Sequence, residues 1–371
     1  MKKKEIKLHN LYLSYLEIKR DLFPLLRKIF KDMNLYLGPH QEKFEKEFAL
    51  YCGSKYFLSC SSGTDALHLA LRSVGIKEND EVILPSFTFF AVLEAVWMVG
   101  AKPIFAEIKE SDFTIDPEDV KSKLTKRTKG IILVHLFGMP CDMKEFWEIK
   151  KNNPQIVLIE DSAQSHGALY EDKRVGNLGD LSAFSFYYTK NLGALGEAGG
   201  VSTNDYDIYE KLKLLRVHGQ DKSYVSKIMG FNFRMDEIQA AVLLLKLKHL
   251  DRWNSRRREI ARIYFENLKD LEHVRLIKED KNKKSVYHLF VICAKNRDNL
   301  REYLKENGIE TGIHYPIPCH LQPAASFYGY KEGYLPLTEK LCKEVLSLPC
   351  HPYLKDEDIL YICEKIRNFY L

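Results

Sequence analysis

A chain of 371 residues and 43.2 kDa exceeds what one hydrophobic core usually serves, so a large domain with a smaller companion is expected. A net charge of +5 with acidic and basic residues interspersed excludes the strongly basic face of a nucleic-acid-binding protein, while leaving a mild bias toward an anionic diphosphate ligand. The cysteines (Cys52, Cys60, Cys141, Cys293, Cys319, Cys342, Cys350 and Cys363) form no CxxC pair and no metal-ligand spacing, and read as reduced, mostly buried thiols of a cytoplasmic protein.

Met1-Lys2-Lys3-Lys4 has the charge of a secretory leader, but no apolar run follows in residues 5–10, so no secretion is expected. The longest apolar stretch, 87–101, is interrupted by Glu94 and is too short to span a bilayer, which excludes a membrane partner. Apolar residues recur at helical spacing up to about Lys31, with Pro24 placed in a first turn or at a break. Leu37-Gly38-Pro39 is turn chemistry, and a further helix leads to a strand at 56–59. Helices at 64–73, 90–99, 117–124 and 143–151 then alternate with strands at 81–84, 103–106, 130–135 and 156–160; Asp116-Pro117 marks one helix start by its cap and first-turn proline. This alternation predicts an α/β fold with a mostly parallel sheet and helices on both faces.

Strands at 181–186 and 200–203 flank a lysine-bearing loop, and a helix follows at 205–217. A helical pattern over 235–268, broken only mildly near Trp253-Asn254, bridges toward the C-terminal part. The expected division is a large domain over 1–250, including the N-terminal helical segment, and a small α+β domain over 251–371. The small domain is expected to hold a strand at 286–294 and helices at 297–306, 337–346 and 356–368.

The chemistry concentrates in Phe184-Ser185-Phe186-Tyr187-Tyr188-Thr189-Lys190-Asn191-Leu192-Gly193, where one lysine follows an aromatic strand and precedes glycines. A strand end fixes the amine's direction and partial desolvation lowers its pKa, which is what a Schiff-base lysine needs. An isolated lysine in so lysine-rich a chain would ordinarily be a solvated surface residue, so the reading leans on two other stretches. Glu160-Asp161-Ser162-Ala163-Gln164 follows an apolar strand at its carboxyl end, where open α/β sheets bind ligands and where a carboxylate can pair with a protonated pyridine nitrogen. Ser61-Ser62-Gly63-Thr64-Asp65-Ala66 runs from hydroxyl residues and a glycine into a helix, a phosphate cradle at a helix N-terminus, with Asp65 turned away as a first-turn carboxylate.

Together with Phe184-Ser185-Phe186, Lys190-Asn191 and Arg234-Met235-Asp236-Glu237-Ile238-Gln239-Ala240, these motifs resemble the DegT/DnrJ/EryC1 family of pyridoxal-phosphate sugar aminotransferases, from about Gly38 to the last helix. The resemblance implies fold type I, the aspartate-aminotransferase-like fold, with a large mostly parallel seven-stranded type of sheet and a small C-terminal α+β domain. It implies that Lys190 forms the Schiff base with pyridoxal phosphate and that Asp161 bonds the pyridine nitrogen. Gln164 is expected near the ring's 3-hydroxyl and Phe89 on the ring's other face. Gly63, Thr64 and Ser185 are expected at the phosphate, with Asn232 reaching it from the partner of a homodimer whose cofactor sites lie at the interface. Tyr188 departs from the smaller residue or proline often found there, which bears on the shape of the sugar pocket.

The segment 312–322, with His314, Tyr315 and His320, resembles the family's active-site loop and is expected to wall the sugar pocket; a plain proline-rich connection is the alternative. Arg216 and His218 resemble a mobile loop near the substrate diphosphate, with capping of a helix C-terminus as an equal alternative. The scattered histidines, His135 and His166 included, show no His-x-x-x-His pair, so no metal site is expected; His135 reads as a core or supporting residue.

The implied reaction moves an amino group from an amino acid, L-glutamate foremost, to a nucleotide-diphosphate keto sugar, with Lys190 as general acid and base. The stretch 188–196 is more similar to the branch that aminates C3 of a dTDP-3-keto-6-deoxyhexose, in deoxysugar biosynthesis for a lipopolysaccharide or S-layer glycan, and Leu192 and Leu195 are expected to wall its C6 methyl. A 4-keto sugar and a 3-keto uronic acid, the latter with Arg216 as its cation, stay open. A sugar dehydratase of this family typically has histidine in place of the lysine, and a non-catalytic regulator would dispense with Lys190 or Asp161; nothing in the sequence forms a helix-turn-helix with a basic recognition face.

Overall fold

The computed structural model describes residues 5–222 and 224–371, so the basic run at 1–4 lies outside the described residues. Seven strands form the main sheet in the order Tyr56–Cys60, Gly199–Thr203, Leu181–Ser185, Val157–Asp161, Thr128–Val134, Glu81–Pro85 and Lys102–Ala106. Only Gly199–Thr203 runs against its neighbours. The period of two along each strand sends successive apolar side chains into opposite layers. Val82 and Leu84 enter the core under the helices Gly63–Ser73 and Ala91–Met98, whereas Ile83 joins Phe146 and Ile149 of the helix Met143–Asn152 on the other face. The predicted α/β architecture is therefore present, and Asp116 caps its helix by accepting from the Glu118 N–H at 3.0 Å.

A second core lies around an antiparallel sheet of Val274–Leu276, Phe290–Ala294 and Val345–Leu348, enclosed by the helices Leu250–Leu268, Arg297–Glu306 and Asp356–Tyr370. The N-terminal segment is fastened to this part of the chain: Ile6 donates to the Gly308 carbonyl at 2.8 Å and accepts from the Glu310 N–H at 2.9 Å. The helix Leu11–Asp32 then lies on the helix Glu237–Leu247, with Ile18 and Leu22 against Val242 and Leu245.

Four local expectations need correction. The pattern over 235–268 is two helices that part at Lys248-His249, where the His249 N–H turns to the Lys246 carbonyl at 2.9 Å; Trp253-Asn254 lies inside the second helix. Residues 286–289 precede the strand, because the Val286 N–H and carbonyl are taken by Gly138 and the Asn191 amide. The expected helix at 337–346 stops at Glu344, and Val345–Leu348 pairs with Phe290–Ala294 instead. Pro24 sits in mid-helix rather than in a first turn or at a break, on the exposed side, where water can satisfy the carbonyl it leaves unpaired. All eight cysteines are buried and unpaired, and among the described residues no helix is long and apolar enough to cross a membrane.

Candidate active site

Because Tyr56–Cys60, Glu81–Pro85, Val157–Asp161 and Leu181–Ser185 run in parallel, the segments that follow them emerge along one edge of the sheet. There they surround a cavity of about 600 Å³, the size of a cofactor and small-substrate site. Its walls include Gly63, Thr64, Phe89, Asp161, Gln164, Ser185, Lys190, His314 and Tyr315, nine of the residues singled out from the sequence.

At one end the helix Gly63–Ser73 begins. Ser62 caps it by accepting from the Asp65 N–H at 3.1 Å, and Asp65 turns back to accept from Ser61 at 2.5 Å and Ser62 at 2.8 Å, so its charge is engaged as expected. The helix start lies hard against the neighbouring strand ends: a Cβ on Gly63 would fall 2.5 Å from Ser185 Cβ, and one on Gly199 would fall 2.0 Å from the Ser62 carbonyl oxygen. Unpaired N–H groups at a helix start, with Thr64 and Ser185 hydroxyls beside them, form a cradle for a phosphate.

Asp161 ends its strand deep in the cavity and is buried. Burial raises its pKa, opposed by the Ala163 N–H donating at 3.0 Å and by the charge of Lys190. Its neighbour Glu160 points to the other side of the sheet, accepting from the N–H groups of Gly176, Leu178 and Gly179 and from His135, which holds this strand end in place. Lys190 follows the adjacent strand in a turn closed by its N–H to the Tyr187 carbonyl at 2.8 Å. Gly193 lets that turn close, since a Cβ there would meet the Tyr188 carbonyl oxygen at 2.5 Å. Burial pulls the Lys190 amine down to about 8, against the opposing pull of Asp161 and Glu197. Gln164 is fixed at both ends, accepting from the Phe137 N–H at 2.8 Å and donating to the Tyr315 hydroxyl at 3.0 Å. Phe89 lines the same cavity, 56% exposed, with its ring centroid 6.1 Å from that of Tyr315.

Five expected residues lie elsewhere in this chain. Arg216 is buried under the sheet, donating to Glu45 at 2.6 Å and to the Ser59 carbonyl at 3.0 Å, so its charge is committed to the core and does not reach the cavity. His320 is likewise consumed, with Nδ1 at 2.7 Å from Ser86 and Nε2 at 3.1 Å from Glu339. His218 is exposed on a left-handed turn and lines no part of the cavity. Tyr188, 41% exposed, is outside this cavity but borders a smaller adjoining pocket with Lys190 and His9, while Tyr187 lines the cavity itself. Asn232 is exposed, accepting from Arg234 Nε at 2.9 Å, and is outside the cavity of its own chain. The expected C6 wall also fails: Leu192 is fully buried in an aromatic core and Leu195 is exposed, its N–H held by Gln239.

Sequence reasoning missed His9, His288, Tyr187, Thr189, Glu94 and Glu197 as lining residues. Glu197 stands in the glycine-rich loop already under suspicion, which was a usable signal. His9 gave none, because only the tie between Ile6 and the Gly308–Glu310 segment carries it to the site. Among the described residues the one close group of three acidic residues, Asp112, Asp142 and Asp280, includes two carboxylates that already hold Lys109 and Lys283.

The model of the DegT/DnrJ/EryC1/StrS aminotransferase family matches residues 17–367, and the chain belongs to that family. It is 43% identical over 359 residues to a pleiotropic regulatory protein of Geobacillus stearothermophilus, covering 96% of each chain. It is 40% identical over 356 residues to the dTDP-3-amino-3,4,6-trideoxy-alpha-D-glucose transaminase of Streptomyces venezuelae, covering 96% of this chain and 94% of that one. A crystal structure of S. venezuelae DesV with a ketimine intermediate superposes with a TM-score of 0.96 at 39% identity, covering 98% of each. Fold type, enzyme class and pyridoxal-phosphate dependence thus stand as expected.

Proposed function

We propose that this protein is a cytoplasmic pyridoxal-phosphate-dependent aminotransferase that transfers the amino group of L-glutamate to C3 of a dTDP-linked 3-keto-6-deoxyhexose. The observation that carries the reading is the meeting of a buried Asp161 and a half-buried Lys190 in a cavity that also contains a helix start suited to phosphate. The residues fit the cofactor: Gly63, Thr64 and Ser185 would hold its phosphate, Asp161 its ring nitrogen, Phe89 and Gln164 its ring, and Lys190 its aldehyde carbon. When bound, the cofactor supplies an electron sink and carries the amino group between donor and acceptor.

This chain's residues do the rest. An amine titrating near 8 is partly neutral at physiological pH, so Lys190 Nζ can act as a nucleophile and can accept and return a proton at the carbon that bears the nitrogen. Asp161, a carboxylate in a desolvated corner, gains most by facing a cationic N–H, which keeps the ring nitrogen protonated. A regulator without chemistry would have no use for this pair, whatever name a relative bears.

Support for the sugar comes from two directions. The S. venezuelae relative is named for a dTDP-linked 3-amino, 6-deoxy product. The cavity also presents Glu94 and Glu197, which would repel the carboxylate of a uronic acid, and among the described residues no arginine lines it. Asn232 would complete the phosphate site of the partner in a homodimer, which accounts for its exposure here. The test is incubation of the holoenzyme and glutamate with a dTDP-3-keto-6-deoxyhexose, its 4-keto isomer or a 3-keto uronic acid, with products identified by mass and by the position of the new C–N bond. Amination at C3 of the 6-deoxy sugar is expected. Exclusive amination at C4, or preference for the uronic acid, would refute the assignment of the sugar while leaving the aminotransferase reading in place.

A further inference from the structure

An aminotransferase must bind an anionic amino acid in the same cavity that takes the sugar, yet among the described residues of this chain no arginine lines that cavity. Its helix start suits the cofactor phosphate, Asp161 suits the ring, and Glu94 and Glu197 are of the wrong sign. The rest of the wall combines apolar side chains and the hydroxyls of Thr88, Tyr187, Thr189 and Tyr315 with three histidines, His9, His288 and His314.

Behind them lies Arg257, 6% exposed. Its Nη1 donates to the carbonyls of Tyr287 and His288 at 3.2 Å each, and to that of Cys350, while its Nε has no partner. No carboxylate among the described residues pairs with this guanidinium, so its buried charge is left without a counter-ion, a costly condition that an incoming anion would relieve. Burial first, then the charges of Arg257 and Lys190, pull His9 down to about 4, and burial likewise lowers His288, His314 and His351, so these rings are neutral and can offer an N–H rather than a charge.

The ring of His9 makes no hydrogen bond among the described residues, and its N–H is free for a ligand. The other two rings are anchored. His288 Nδ1 is 3.1 Å from Asn191 Oδ1, and since the Asn191 amide donates to Asn254 and to the Val286 carbonyl, that oxygen must accept. His288 Nδ1 therefore bears the proton and Nε2 is left unclaimed. His314 Nδ1 is 2.8 Å from the Ser347 hydroxyl.

We propose that the N–H of His9, with His314 beside it and the charge of Arg257 nearby, receives the α-carboxylate of the amino donor, while His288, whose only N–H is spent on Asn191, is a wall residue. This rests on the aminotransferase reading above and identifies the part of the site that selects an amino acid over a plain amine. The N-terminal segment is then part of the active site, delivered there by the pairing of Ile6 with the Gly308–Glu310 backbone.

The test follows each half of the reaction separately through the cofactor's absorbance, using wild type, His9→Leu and His9→Gln. Glutamate is compared with 4-aminobutyrate, which lacks the α-carboxylate but keeps the distal one. Losing a hydrogen bond to a charged group raises the half-saturating glutamate concentration of His9→Leu by about 10- to 100-fold, and His9→Gln, which keeps an N–H donor, recovers part of the loss. The response to 4-aminobutyrate and the half-saturating concentration of the keto sugar stay as in wild type, which also shows that the variant is folded. An unchanged requirement for glutamate, or an equal rise for glutamate and sugar, would overturn the proposal while wild-type amino transfer persists. Failure of every amino donor to alter the wild-type cofactor spectrum would overturn the aminotransferase reading as well.

Discussion

Replacing Gly63 by alanine places one methyl group at the tightest point of the phosphate cradle. The new Cβ would lie 2.5 Å from Ser185 Cβ, 3.0 Å from its Oγ and 3.1 Å from its Cα. Carbon atoms pack at about 3.5–4.0 Å, so the helix start and the strand end must part by roughly 1 Å. Ser185 is paired to Gly199 in the sheet and cannot easily retreat, so the helix start moves and carries the N–H groups of residues 63 and 64 off the phosphate. Forcing a methyl into a packed site costs about 1–3 kcal/mol, equivalent to a roughly 5- to 150-fold weaker grip on pyridoxal phosphate if the strain is relieved at the cradle. Titration of the apoprotein with the cofactor, followed by fluorescence, measures the change. Gly75→Ala is the control: nothing lies within 4 Å of its added Cβ, but its φ of +82° makes alanine strained, so it lowers stability without touching cofactor affinity. Cofactor affinity equal to wild type in Gly63→Ala would refute the placement of the phosphate at this helix start.

Three further outcomes are expected. Asp161→Asn removes the charge that holds the ring nitrogen protonated, and turnover falls by about two to three orders of magnitude with the fold intact; near-normal turnover contradicts the role. The neutral amine of Lys190 is the reactive form, and because burial lowers its pKa, capture of pyridoxal phosphate by the apoprotein accelerates with pH and levels off above about 8; a rate still climbing toward 10.5 would mean that the amine is solvated. If Asn232 acts across a dimer interface, mixing an Asn232→Ala variant with Lys190→Ala restores part of the activity after subunit exchange, since one site in each mixed dimer has neither defect. No recovery after proven exchange places Asn232 outside the partner's site.

The sheet was legible because strands such as Thr128–Val134 and Val157–Asp161 contain apolar runs, 131–134 and 157–159, of the kind buried parallel strands carry. Lys190 and Asp161 could be brought together from sequence for the same reason, since both follow the carboxyl ends of neighbouring parallel strands. Where the reading failed, the deciding contact was long-range. Nothing near Arg216 in the chain announces Glu45 as its partner, and nothing near His320 announces Ser86. Val345–Leu348 continues the helical spacing of the residues before it and becomes a strand only because Phe290–Ala294 offers a partner. Leu192 and Leu195 were placed by adjacency to Lys190, but the tight turn at Gly193 sends one into the core and the other to solvent.

The central claim is that one lysine of this chain holds the cofactor. Reduction of the holoenzyme with borohydride, followed by digestion and mass mapping, tests it most directly. The account predicts a single pyridoxyl-phosphate adduct on the peptide containing Lys190, absent when glutamate has first converted the cofactor to its amino form. An adduct on any other lysine, or a reduced holoenzyme without one, would contradict it.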